Sequence, residues 1–396
     1  MDNNATTAPD PSVGAAMQMI SCAIYGNPSA GNYAGKLAAG ALRAARASVA
    51  QSLGGVQTSE LIFTSGATEA NNTAIQGAVR CYKTHGGHSD TAKPHLVTSA
   101  IEHASVYQTH KMLEETGDAV VTYVPVDRTG HLDIQDLIKA LRKPHTILLT
   151  IIAGNNETGV IQNIRDISAA ARECRVPILF DATQLMGKYP VYPVDMGASM
   201  LTCSAHKFHG PRGIGLLWIS AAYADSSGVC PLLCGGIQEA GRRAGTENVA
   251  AIFGLALALE KALADMARKA EHVWKIRTRL EMGLMRAIPG VKFHSDPVWG
   301  LYNTTSLYFP RAIDSRRLQA LLAEHGVSVN VGSACSKGQR SRVLTEMGVS
   351  EAAEGSTLRI SLGPQNHSEE VDRVIDILAD AYRALAVIAS AGETYA

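Results

Sequence analysis

Met200-Leu201-Thr202-Cys203, then Ser204-Ala205-His206-Lys207-Phe208-His209-Gly210, is the stretch on which the reading of the whole chain turns. An apolar run with the look of a strand delivers a lysine, and Gly210-Pro211-Arg212-Gly213 turns the chain sharply straight afterwards. Desolvation in a strand-end pocket lowers the pKa of an amine, so a lysine held there is a candidate Schiff-base nucleophile. Taken alone, His206-Lys207 describes a basic surface loop equally well. The remainder of the chain has to decide.

Composition narrows the field first. A chain of 396 residues suits one large domain with a smaller one attached, and 46% hydrophobic with 18% charged residues is globular composition. Lys plus Arg and Asp plus Glu are both 36, so no net field draws in nucleic acid or an anionic membrane. The start Met1-Asp2-Asn3-Asn4 has no basic, apolar signal, and the longest apolar run, Val249 to Leu259, is far shorter than the ~20 residues of a membrane helix. Seven scattered cysteines without a double pair suit a reducing cytoplasm. Cys230 and Cys234, the one close pair, read better as unpaired thiols than as metal ligands, and no metal is expected.

Working outward from Lys207, short apolar strands alternate with helical segments over the first two thirds. Strands are expected at Leu61 to Thr64, His95 to Thr98, Thr146 to Ile152 and Ile178 to Asp181, with helices from about Ala67, from about Ala104 and over Asn163 to Cys174. This alternation predicts an α/β fold, a mainly parallel sheet covered by helices on both faces, with ligands beyond the carboxyl ends of its strands. One long helix is expected from about Glu247 to Ile288, ended by Pro289-Gly290. Strands near Val291 to Phe293, Thr304 to Tyr308 and Thr357 to Ser361, with helices near Ser315 to Glu324 and Ser368 to Leu385, then predict a small α+β unit. The expected division is 13–260 for the large domain and 1–12 with 261–396 for the small one.

Four loops after expected strands carry polar chemistry. Thr64-Ser65-Gly66-Ala67-Thr68-Glu69 runs into a helix whose free N–H groups suit a phosphate, although a plain N-cap reads equally well. His103, in Ile101-Glu102-His103-Ala104-Ser105, would by itself be structural more often than catalytic. Asn155-Asn156-Glu157-Thr158-Gly159 is compatible with a simple turn. Asp181 ends a buried strand and needs a cationic partner to stay charged there. With Lys207, these parts meet the needs of pyridoxal phosphate: a lysine for the imine, a carboxylate on the pyridine nitrogen and a phosphate cradle.

Ten motifs then fall in order along the chain. They are Asp2-Asn3-Asn4-Ala5-Thr6-Thr7, Gly26-Asn27-Pro28-Ser29, Thr64 to Glu69, Glu102-His103, Asn155-Asn156-Glu157, Asp181-Ala182-Thr183-Gln184, Ser204 to Lys207, Arg243-Ala244-Gly245-Thr246, Gly332-Ser333-Ala334-Cys335 and Arg359-Ile360-Ser361-Leu362-Gly363. With these the chain resembles the NifS/IscS-type cysteine desulfurases, class V members of the fold-type I pyridoxal-phosphate enzymes. The resemblance covers nearly the whole length, and its specificity lies in the set rather than in any one motif.

The resemblance implies roles by position. Lys207 would carry the cofactor as an imine, Asp181 would face the pyridine nitrogen and Gln184 the ring oxygen, while His103 would stack on the ring and assist proton transfer. Ala67, Thr68, Ser204 and His206 would hold the phosphate, and Thr246 would reach the phosphate of a second subunit, which implies a homodimer. Asn156 and Arg359 would grip the substrate carboxylate. Cys335, without this frame an incidental thiol, matches the persulfide-forming cysteine on a small-residue loop expected to be mobile. The implied reaction converts L-cysteine to L-alanine: the freed amine of Lys207 takes the α-proton, and the Cys335 thiolate attacks the substrate sulfur, which then passes to a protein acceptor.

The match departs from its family in two places. The interval from Cys335 to Arg359 is about two residues shorter than in the familiar members, and Lys337-Gly338-Gln339-Arg340-Ser341-Arg342 is basic where they carry an acidic, proline-containing segment. The chain also ends soon after its last helix. Both changes leave the chemistry in place and open the question of the acceptor, iron-sulfur assembly or tRNA and cofactor thiolation. Two kinds of alternative stay open: a selenocysteine lyase, cysteine-sulfinate desulfinase or class V aminotransferase, or a non-catalytic sulfur-trafficking subunit.

Overall fold

The computed structural model describes residues 1–85, 92–226, 228–296, 298–311, 313–332 and 340–393. A seven-stranded sheet forms the large layer, from β1 (Leu61–Thr64), β2 (His95–Ser99), β3 (Val120–Val124), β4 (Thr146–Ile152), β5 (Ile178–Asp181), β6 (Met200–Ser204) and β7 (Gly215–Ile219). Their order is β1-β7-β6-β5-β4-β2-β3, with β7 antiparallel to both neighbours and every other pair parallel. The strands expected at Leu61–Thr64, Thr146–Ile152 and Ile178–Asp181 have those bounds, and helices begin at Ala67 and Ala104.

The sheet is buried on both faces because its strands are apolar at successive positions, the pattern parallel strands require. Alternation divides them: Leu149, Ile151, Phe180, Leu201 and Trp218 pack into one core, whereas Leu148, Leu179, Met200, Leu217 and Ile219 pack into another on the opposite face. Register brings the functional ends together, for Ile152 pairs with Asp181, Asp181 with Thr202, and Gly215 with both Ser204 and Thr64.

The long helix expected from Glu247 to Ile288 is instead two, Val249–Ala264 and Met266–Ala287, parted at Asp265 (φ −133°, ψ 25°). Aspartate is a poor helix-interior residue because its short side chain competes for local backbone groups. The break also has a packing reason. Leu255, Leu259 and Ala262 belong to the core of the large sheet, but Val273, Ile276 and Leu280 belong to a separate core with Leu307, Leu358, Val371 and Leu378. That second core backs a three-stranded antiparallel sheet of β8 (Lys292–Phe293), β9 (Thr304–Tyr308) and β10 (Thr357–Ser361), with β9 central. The amino terminus adds a single parallel bridge, Asp2 to Ser361, beside β10.

Two buried groups fix the active edge of the large sheet. Gly215 is one: a Cβ there would lie 2.6 Å from the Gly66 backbone and 2.7 Å from the Cys203 carbonyl oxygen, so the turn after β1 can lie against β7 only because position 215 is glycine. Glu102 is the other. Its Oε1 accepts from the Ser99 hydroxyl and, at 2.9 Å, from the Ile152 N–H, joining the ends of β2 and β4, while Oε2 has no partner among the described atoms. Burial, at 1% exposure, pushes the Glu102 carboxyl up to about 8, with Asp181 adding repulsion.

Gly215→Ala is expected to destabilise the fold by about 1–3 kcal/mol through overpacking against Gly66, read as a lowered denaturant midpoint; an unchanged midpoint would contradict the close crossing. For Glu102 the folded pKa of about 8 lies above the ordinary 4.5, so between these values the folded protein holds a proton that the unfolded chain has lost. Stability from this group is therefore full below the lower value and declines as pH rises through the window, by at most ~1.4 kcal/mol per pH unit. Glu102→Gln is expected to gain stability relative to the native protein between pH 5 and 8, and parallel denaturation profiles of the two across that range would refute the protonated carboxyl.

Candidate active site

At the carboxyl ends of these strands lies a cavity of about 380 Å³. Ala67, Thr68, His103, Asn156, Asp181, Gln184, Ser204, His206, Lys207 and Arg359 all line it. Thus ten of the residues singled out from sequence meet in one place. Thr246 does not: it is exposed and lines an adjacent cavity of about 240 Å³, which shares Ser65 and Gly213 with the first. Cys335 lies outside the described residues. Its flanks are informative, because the Ser341 hydroxyl donates to Glu157 Oε2 at 2.6 Å and a Cβ on Gly332 would stand 3.7 Å from the same oxygen. Gly332 and Ser341, on either side of Cys335 in the sequence, therefore both sit beside Glu157, the neighbour of Asn156.

Lys207 closes a short 3-10 turn, Ala205–Lys207, directly after β6. Its Nζ donates to the backbone carbonyls of Asn4 at 2.5 Å and Ala5 at 2.9 Å, so the amino-terminal segment holds the amine at the cavity. Thr7 reinforces this join by donating to the His206 carbonyl through both its N–H (2.9 Å) and its hydroxyl (3.0 Å).

Asp181 is 2% exposed, and the cation its burial was expected to demand is not a protein side chain among the described residues. Neutral donors hold it instead: Asn71 Nδ2 reaches Oδ2 at 2.9 Å and the Thr183 N–H reaches Oδ1 at 3.0 Å. Thr202 in turn fixes the amide of Asn71, donating to Oδ1 at 2.6 Å. A buried carboxylate facing a cavity with only neutral donors fits a protonated ring nitrogen as its missing partner. The Thr183 hydroxyl and Arg359 Nε are likewise buried without a partner among the described atoms. The residues present therefore fit a cationic ring carrying anionic groups.

His103 caps the helix Ala104–Glu115, its Nδ1 accepting from the Ser105 N–H at 3.1 Å. An accepting Nδ1 assigns the ring proton to Nε2. Burial holds the His103 pKa below the ordinary range, the charge of Asp181 opposing and those of Lys207 and Arg342 adding, so the ring is neutral at neutral pH. His206 is pushed down to about 4, chiefly by burial and then by the Lys207 charge. Arg359, 1% exposed, spends one Nη1 bond on the Asn156 carbonyl (2.8 Å) and one Nη2 bond on Asp2 Oδ1 (2.7 Å), which leaves N–H groups for a carboxylate. Asn155 is the structural member of its pair: its Oδ1 accepts from the N–H groups of Glu157 and Thr158 and builds the turn that sets Asn156 at the cavity.

Sequence reading missed Asn4, Asn71, Lys188 and Arg212. Asn71 was findable, since it lies one helical turn beyond Ala67 on the face that meets Asp181. Asn4 holds Lys207 through its backbone carbonyl, while its side-chain amide donates to the Asn156 carbonyl at 3.2 Å and to the Thr304 hydroxyl at 2.8 Å.

Residues 1–374 match the family model described as aminotransferase class-V. The cysteine desulfurase IscS of Methanosarcina thermophila is 38% identical over 382 residues, covering 96% of this chain and 91% of that protein. A solved NifS-like protein superposes with a TM-score of 0.88 at 35% identity, covering 97% of this chain and 99% of the other. SspA in complex with cysteine superposes with a TM-score of 0.78 at 33% identity, covering 92% and 99%. A mainly parallel sheet with its polar edge built around Lys207 and Asp181, matched at this level along nearly the full length, establishes that the chain belongs to the class V aminotransferase family, among the NifS/IscS-type cysteine desulfurases.

Proposed function

We propose that this protein is a pyridoxal-phosphate-dependent cysteine desulfurase that converts L-cysteine to L-alanine and keeps the sulfur as a persulfide on Cys335. The observation that carries the proposal is the meeting, in one cavity, of Lys207 with the buried carboxylate of Asp181, which among the described residues is held by the neutral donors Asn71 and Thr183 N–H. Asp181 would face the ring nitrogen and Gln184 the ring oxygen, with Ala67, Thr68, Ser204 and His206 around the phosphate. Bound there, the cofactor supplies an electron sink for the substrate's α-carbon.

This chain's own residues would do the rest. Arg359 and Asn156 bind the substrate carboxylate, which the guanidinium meets with its free N–H groups. Lys207 holds and returns the α-proton, because its amine lies in a wall of the cavity fixed by Asn4 and Ala5. Neutral His103 presents Nε2–H to the reacting groups. The Cys335 thiolate attacks the substrate sulfur; the carbon–sulfur bond breaks, a sulfur–sulfur bond forms, and proton return completes alanine. The anchoring of the segment's flanks at Glu157, next to Asn156, supports that encounter.

The rest of the proposal is organisational. A large 13–260 domain would hold the cofactor, and a small domain of 1–12 and 261–396 would bring Cys335 and Arg359, in keeping with the two separate cores. A homodimer in which Thr246 serves the second site is supported by its separation from the Lys207 cavity and by the exposure of Tyr25, Tyr33 and Ile237. Among the described residues no helix is long and apolar enough to cross a membrane, and cytoplasmic residence is part of the same proposal. The sulfur acceptor would be a protein of iron-sulfur assembly or of thiolation.

The purified protein reconstituted with pyridoxal phosphate is expected to show a visible band that borohydride bleaches and Lys207→Ala abolishes, and to release sulfide from L-cysteine with dithiol reductant. Cys335→Ala should keep the band and lose the sulfide. Full sulfide release by Cys335→Ala would overturn the desulfurase assignment. Arg359→Lys is expected to raise KM for cysteine by about 10–100-fold, since an ammonium cannot reproduce the planar fork, with cofactor uptake intact; an unchanged KM would remove Arg359 from the carboxylate site.

A further inference from the structure

We infer that Lys188 is a positioning residue, whose amine holds the amide oxygen of Gln184 and so turns the Gln184 N–H groups toward Asn4 and the cavity shared with Lys207. The inference rests on the proposed function, in which Gln184 faces the ring oxygen. Lys188 is 9% exposed, and its Nζ donates to the backbone carbonyl of Gln184 at 3.1 Å and to Oε1 at 3.0 Å. At the other end of the same amide, Nε2 donates to the Asn4 carbonyl at 3.0 Å, and that carbonyl also receives Lys207 Nζ at 2.5 Å. Lys188, Gln184, Asn4 and Lys207 thus form one continuous hydrogen-bonded chain.

An amide has one accepting and one donating end. Rotated by half a turn, Gln184 would set its oxygen against the Asn4 carbonyl and its N–H groups against the Lys188 amine. Only one orientation satisfies both neighbours, and it leaves an N–H for an anionic oxygen in the cavity. A donor pulled on its carbonyl side by an amine is also the stronger donor, because linked hydrogen bonds polarise one another.

Packing alone does not account for a lysine here. No carboxylate among the described residues pairs with it, and burial followed by the Lys207 charge pushes its pKa down to about 7. Its other surroundings are Asp10, His209, Lys261 and Lys269, around a second cavity of about 420 Å³ behind Lys207. Methionine would fill the same volume without the cost of burying an amine. The turn that carries Lys188 is built against the Lys207 segment, since Gly187 (φ +74°) would place a Cβ 2.5 Å from that of Phe208. Four residues of separation then return the amine to Gln184.

The test uses the full-length holoenzyme with Lys188→Met, Gln184→Leu and the double variant. Lys188→Met is expected to melt no lower than the native protein, to move the visible band in the same direction as Gln184→Leu, and to lower kcat roughly tenfold with KM for cysteine changed less than about twofold. The double variant should be no worse than Gln184→Leu, as required of a residue acting through Gln184. An unmoved band and native kcat in Lys188→Met, or additive losses in the double variant, would overturn the inference. Should Lys188→Met not fold, Lys188→Gln, whose stem is too short to reach Oε1, is expected to give the same band shift, and a native band would count against it equally. If the native protein takes up no cofactor, the proposed function fails separately. Lys188 is then read in cofactor-free protein, where the Gln184 side-chain amide signals, labelled with nitrogen-15 and assigned by their loss in Gln184→Leu, should shift in Lys188→Met; unshifted signals would overturn the inference.

Discussion

A carboxylate sealed from water at the end of a central strand is the constraint on which this structure depends. Burying an ionised Asp181 costs several kcal/mol unless its oxygens are matched, and the fold supplies neutral donors from two directions, Asn71 on the helix Ala67–His85 and the N–H of Thr183. Register does the rest. Because Asp181 pairs with Ile152 on one side and Thr202 on the other, the strand ends carrying Asn156 and Lys207 must open into the same space.

The second organising join is between the amino terminus and everything else. Asn4 and Ala5 hold Lys207 through their carbonyls, Thr7 holds the His206 carbonyl, Asp2 pairs with Arg359, and Asn3 accompanies β10. A few residues at the start of the chain therefore link the amine of the large sheet to the guanidinium of the small one. Lys207 follows a strand of the first core and Arg359 lies on a strand of the second, and this segment is bonded to both.

Much of this was legible in the sequence because strands buried on both faces are continuous apolar runs, and the polar residues at or just after their ends mark the active edge. Leu61–Thr64, Thr146–Ile152 and Ile178–Asp181 have the expected bounds for that reason. Asp265 was not legible as a helix break, since no proline or glycine announces it; the chain parts there in order to move between cores. The demand of Asp181 for a cation was legible from its place at the end of a buried strand, but its neutral partners, the Asn71 amide and the Thr183 N–H, were not. Asn4 and Lys188 escaped because one meets Lys207 through a backbone carbonyl and the other acts through hydrogen bonds to Gln184. Neither has a periodicity to betray it.

The basic segment around Arg340 and Arg342 also looks different once folded. Arg340 pairs with Glu354 at 2.9 Å, and Arg342 lies over the Tyr107 ring, 3.9 Å from its centroid, while donating to the Glu102 carbonyl. Arg340 remains exposed while making this pair, whereas Arg342 is half-buried and ties the start of its helix to the sheet edge at Glu102. The central claim is that the Cys335 segment delivers a thiolate to substrate sulfur at the Lys207 cavity. Its most direct measurement is a single turnover of cofactor-loaded enzyme with sulfur-isotope-labelled L-cysteine, followed by alanine assay and peptide mass spectrometry. The account predicts alanine and labelled persulfide on Cys335 in equal amounts; alanine with no label on Cys335 would contradict it.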